Sequence, residues 1–115
     1  MNQEKLNELL HAWQLRLGLR DWDISAKLCH AYEMSNCWGE ISWNLHEKIA
    51  DIKVRYPGES PSHAMRPYDL EATLIHELLH IHFAPFDEVN NLAEEQAINA
   101  LSKALVNLGR IYVEN

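Results

Sequence analysis

The chain has 115 residues, 47% of them hydrophobic and 23% charged, with a formal net charge of −7. That is the make-up of one globular domain with one modest core and no room for a second. The acidic balance argues against a basic face, so nucleic acid is not an expected partner.

The start, "MNQEKLNELLHAW", lacks the positive head and unbroken apolar run of a secretory signal. No apolar run approaches membrane-spanning length. A cytoplasmic protein without a membrane partner is expected. Leu6, Leu9, Leu10, Trp13 and Leu17 recur at helical spacing, which predicts an amphipathic helix over 3–17 closed by Gly18. In "DWDISAKL" the apolar residues Trp22, Ile24, Ala26 and Leu28 alternate with polar ones, a half-buried strand. "CWGEISWNL" reads as a second strand with Gly39 as a possible bulge. "HEK" is a tight turn, and 49–56 is a third strand whose alternation slips at Ile49.

The segment 57–67 holds three of the four prolines and reads as a loop, suited to a flap. Helical periodicity returns in "YDLEATLIHELLHIHFA", with Asp69 as N-cap and Pro85 as terminator. "FDEVNN" bridges to a last helix, "LAEEQAINALSKALVNLG", closed by Gly109. Its inward face reads as Ala97, Ile98, Leu101, Leu105 and Leu108. Cys29 and Cys37 form no C-x-x-C pair and are expected to be reduced, packed thiols. Trp13, Trp22, Trp38 and Trp43 read as core or core-edge residues. The order predicts a single α+β domain over 1–115: helix, three-stranded sheet, two helices.

One stretch resists a purely structural reading. "TLIHELLHIH" sets His76, Glu77 and His80 among Leu74, Ile75, Leu78, Leu79 and Ile81. Two histidines on a core-facing stripe would both need buried partners. On a helix, i and i+4 lie about 5–6 Å apart at Cβ, so both imidazoles can meet one ion. Glu77 is rotated about 100° from His76, which excludes it as a third ligand but leaves it able to reach a water on that ion. This is the H-E-x-x-H arrangement: two ligands and a general base. Thr73 and the uncharged residues Leu78, Leu79 and Ile81 suit it, and His82 departs from it. His82 is rotated about 200° from His80 and reads as a structural residue of the last turn.

A catalytic zinc needs a third protein ligand. A histidine six residues past His80 is missing, since Phe86 stands there. The last helix offers Glu94 and Glu95. Amphipathicity alone favours Glu94. Asn99, four residues past Glu95, favours Glu95, because it could hold a ligand histidine by its free ring nitrogen. Asp87 is an outsider, too close behind Pro85.

"HELLH" followed by a glutamate on the next helix resembles the gluzincin, thermolysin-type metallopeptidases, and within them the ImmA/IrrE-like and phage-type minimal metallopeptidases. From Glu95, the residues Ile98-Asn99, Leu101 and Leu105 match that group's ligand helix. From Glu94 the match is poorer, so the resemblance selects Glu95. The likeness in motif covers 70–106 and is architectural before that. The stretch from His80 to Glu95 is shorter than in thermolysin, and the group's "LLMP"-like ending is absent. The resemblance implies a zincin-like fold with an active-site helix and a C-terminal ligand helix. It further implies Zn2+ on His76, His80 and Glu95.

The expected function is therefore zinc-dependent hydrolysis of peptide bonds, with Glu77 as general base on a zinc-bound water and a peptide or protein as substrate. An extended substrate would pair with a strand edge, 38–44 or 49–56. His63, Tyr68, His46 and Tyr56 are the oxyanion-donor candidates. The rival reading is a non-catalytic metal-binding or regulatory module, whose metal would have four protein ligands. An RNA-processing hydrolase fits the acidic charge poorly.

Overall fold

Asn2 opens the first helix: its side-chain oxygen accepts the Lys5 N–H at 2.8 Å. In the structure, a computed structural model describing residues 1–59, 67–86 and 91–112, that helix is α1, Gln3–Arg16. It ends at Gly18, whose φ of 72° suits glycine and whose N–H bonds the Leu15 carbonyl. Leu6, Leu9, Leu10 and Trp13 form its buried stripe. Each such leucine stabilises the fold by about 1.5–3 kcal/mol.

Three strands follow, β1 (Asp23–Cys29), β2 (Gly39–Asn44) and β3 (Ile49–Arg55). The sheet order is β1-β3-β2, with β3 parallel to β1 and antiparallel to β2. Strand β3 is therefore central, and the expectation that 49–56 could be a free edge is corrected. Both its sides are already hydrogen-bonded. Its inward residues Ala50, Ile52 and Val54 are buried with Ala26 and Leu28 of β1. Gly39 is no bulge either, since it pairs in register with Val54. The glycine serves a close approach: a Cβ there would stand 2.8 Å from Thr73 Cγ2 and 3.1 Å from Glu77 Oε1.

Helix α2, Leu70–Phe83, opens on Asp69, whose side chain accepts the Ala72 N–H. It packs against β2, β3, α1 and α3, the last helix (Asn91–Gly109). Leu70, Leu74, Ile75, Leu78, Leu79 and Ile81 are all buried. A helix covered on nearly every side is apolar nearly all round. The α+β class stands, with three helices and one mixed sheet. No described helix is long and apolar enough to cross a membrane.

The predicted inward face of α3 is corrected. Ile98, Ser102 and Val106 are its buried line, whereas Leu101 is exposed and Leu108 is 86% exposed. Burying Ser102 costs little because its hydroxyl donates to the Asn99 carbonyl of its own helix. Trp13 and Trp22 are core, but Trp38 and Trp43 are not; Trp43 is exposed. Both cysteines are free thiols.

A polar knot ties the two ends of the chain to α2. Glu71, 0% exposed, accepts from Trp13 Nε1 at 2.7 Å, Ile111 N at 2.8 Å and Tyr112 N at 2.9 Å. Arg110 pairs with Asp69 and lies 3.8 Å from Glu71. Residues 60–66 and the bridge 87–90 lie outside the described residues, and with them most of the expected loop.

Candidate metal centre

His76 and His80 stand one turn apart on α2, with ring centroids 5.1 Å apart. Both turn their Nε2 atoms towards α3. Glu95 meets them there: its Oε2 is 3.3 Å from His76 Nε2 and its Oε1 is 3.0 Å from His80 Nε2. One ligand atom from each of the three lies within 4.8 Å of the others. Donors at Zn–N distances of about 2.0–2.1 Å on a tetrahedral ion are about 3.3 Å apart. The two Glu95 contacts, one from each carboxylate oxygen, lie near that edge length, and the three residues form a group that could hold a metal ion.

Glu94, the other glutamate weighed as a ligand, has a different place. Its Oε1 is 3.2 Å from His80 Nδ1, the far side of the ring. Its side chain is 16% exposed, against 47% for Glu95. The inner glutamate of the pair thus backs His80, and the outer one faces the Nε2 atoms of both histidines. A carboxylate on Nδ1 holds the ring orientation and the tautomer that presents Nε2. Beside His76 the neutral Asn99 side chain acts on the ring instead. Burial lowers the His76 pKa, Glu95 opposes that, His80 adds to it and Asn99 opposes it. Asp87 lies outside the described residues.

Glu77 points away from both imidazoles, as its one-residue offset requires. It is 6% exposed. Among the described residues it has no hydrogen-bond donor. Burial first, then the charges of Glu95 and Glu40, push its pKa up to about 8. Gly39 lets the β2 backbone pass directly beside this carboxyl.

These groups border one groove of about 700 Å³ between β2, α2 and α3. Trp38, Ile41 and Trp43 form its β2 side, and Thr73, Asn99 and Ser102 its helical side. Among the described residues strand β2 is a sheet edge, with β3 on one side and no strand on the other. The approach of β2 is set by Arg55, which is buried and donates to the carbonyls of Cys37 at 2.6 Å, Glu59 at 2.8 Å and Ser35 at 3.2 Å. Cys37 also borders the groove, its thiol pushed up to about 11 by burial and by the hydrogen bond to Glu40.

The sequence-level oxyanion donors are not brought here. Tyr68 donates to the Arg55 carbonyl. Tyr56 stacks on His30 at 4.4 Å. His46 sits in the turn between β2 and β3, off the groove wall. His63 lies outside the described residues. His82 donates from Nε2 to the Leu17 carbonyl at 2.7 Å, a structural bond from α2 to the end of α1. The roles of Gly39 and Arg55 escaped sequence reading. The only signal for Gly39 was a glycine at the start of an alternating strand.

Family models, curated proteins and solved structures were all compared with this chain, and none matches it.

Proposed function

We propose that the chain is a zinc-dependent metallopeptidase of gluzincin type with a zincin-like fold. One observation carries the reading: His76, His80 and Glu95 converge in a group that could hold a metal, beside a buried carboxyl that no hydrogen bond from the described residues stabilises. When bound, the cation polarises the scissile carbonyl and makes a water in its open position acidic enough to attack near neutral pH.

The protein's own groups do the rest. Glu77, with its pKa raised towards neutrality, accepts the proton of the attacking water and passes it to the leaving amine. With the site loaded, the charge of Glu95 would be partly offset, which would favour the ionised form of Glu77 that a base requires. Glu94 and Asn99 keep the two imidazoles aimed. An extended peptide would add to the free edge of β2, which borders the groove, by backbone hydrogen bonds. Asn99 is a neutral donor in the groove able to serve the carbonyl oxygen.

Among the described residues the ligand group has three members, and Glu94 is turned to the back of His80 instead of joining it. That favours a position left for water and substrate over a four-ligand structural site. The test is the Glu77→Gln protein. It should bind zinc as the parent does and lose peptide cleavage; equal cleavage by both would remove Glu77 from the mechanism.

A further inference from the structure

We infer that the end of the groove beyond His76 is a subsite for a substrate carboxylate, selected by Lys103. The inference rests on the peptidase reading above and gives that reading a substrate class.

Helices α2 and α3 run antiparallel, since His80 meets Glu94 while Asp69 meets Arg110. Moving along α2 from His76 towards Asp69 therefore means moving along α3 from Glu95 towards Lys103. This end of the groove is bordered by Ala72, Thr73, Ser102 and Lys103. Lys103 is about 12 Å from Glu95 along the axis of α3. A side chain one or two residues beyond the scissile bond spans that distance, given the reach of a lysine stem.

The charge balance there is lopsided. Lys103 is the only ammonium or guanidinium group among the described residues bordering the groove. It makes no ion pair with them, in a chain with 17 acidic and 10 basic side chains. The groove is also bordered by four carboxylates, of which Glu77 and Glu95 belong to the metal centre and the other two are already engaged. Asp69 is paired with Arg110 and accepts the Ala72 N–H, and Glu40 accepts from Ser35 N and the Cys37 thiol. Ser102 is satisfied within its own helix. An unpaired cation beside a small-residue floor leaves a negatively charged group as the complementary occupant. Both an acidic side chain and a peptide C-terminus supply it.

The test uses short peptidyl hydroxamates, which fix their own register by chelating the metal, with the zinc-loaded full chain. Binding is measured for probes bearing Glu, Gln or Leu at the first or second residue past the chelating group. Each is made with a free and an amidated C-terminus. A Glu side chain or a free C-terminus should improve affinity by about fivefold, the scale of one partly exposed ion pair, and high salt should erase the gain. Lys103→Met should abolish the preference, and Lys103→Glu should invert it towards a Lys-bearing probe. Which probe gains identifies the source of the carboxylate. Equal binding of all probes by the parent, or a preference that survives Lys103→Met, overturns the subsite while leaving the metal centre intact. A parent that binds neither zinc nor any hydroxamate refutes the metal centre itself, and the subsite with it.

Discussion

Glu71 and Glu77 are two buried carboxyls on one helix, about 9 Å apart along its axis, and their surroundings differ in kind. Glu71 is closed in by the Trp13 indole N–H and the N–H groups of Ile111 and Tyr112, with Arg110 nearby. Glu77 has no such donor, and the charges acting on it, Glu95 and Glu40, share its sign. The first arrangement joins distant parts of the chain. The second leaves a proton acceptor beside a groove. The first arrangement reads as structure, and the second is the feature on which the proposed base role of Glu77 rests.

That contrast can be broken or sharpened by experiment. Glu77→Gln should lower the rate of peptide cleavage by about 10²–10⁴-fold, with zinc affinity and melting temperature of the loaded protein nearly unchanged. Steady-state kinetics beside a zinc titration would check it. Glu71→Gln should do the reverse, destabilising the fold by about 3 kcal/mol because an amide nitrogen replaces an oxygen among fixed donors. Urea unfolding measures this, and the zinc affinity of the folded fraction should hold.

Glu94→Ala should weaken zinc binding by about 10–100-fold without changing the one-to-one stoichiometry, the scale of losing a partner that orients a ligand. A further effect is a pH dependence. The folded-state pKa of Glu77 is raised to about 8. A raised carboxyl stabilises the fold while protonated, and this contribution is lost as pH climbs from the ordinary carboxyl range through 8. Metal-free Glu77→Gln should therefore out-melt the parent increasingly from pH 5 to pH 9, by on the order of 15 °C at the top. A gap that narrows with rising pH would contradict the environment described for Glu77.

What could be read from the sequence follows the range of the forces involved. The stripes of α1 and α2, the alternation of β1 and β3 and the His76, Glu77, His80 spacing are local periodicities, and they appear where expected. The sequence could prefer Glu95 to Glu94 only through the position of Asn99 and the family likeness; in the structure Glu95 is the glutamate that groups with the two histidines. The inner position of Glu94 and the outer one of Glu95 follow from how α3 turns towards His80. That same turn puts Ser102 inside and Leu101 and Leu108 outside, against their hydropathy. Glu71 reads as an ordinary first-turn acid, since its partners lie far away at both ends of the chain. The role of Gly39 lies in an absent side chain, which no pattern of polarity records.

The most direct measurement is a zinc titration of the parent, Glu95→Ala and Glu94→Ala proteins by competition with a chromogenic chelator. The parent should bind one equivalent. Glu95→Ala should lose affinity beyond the roughly 100-fold ceiling of an outer-partner change, and Glu94→Ala should stay within it. A parent that binds no zinc, or a Glu95→Ala protein as tight as the parent, would contradict a centre built from His76, His80 and Glu95.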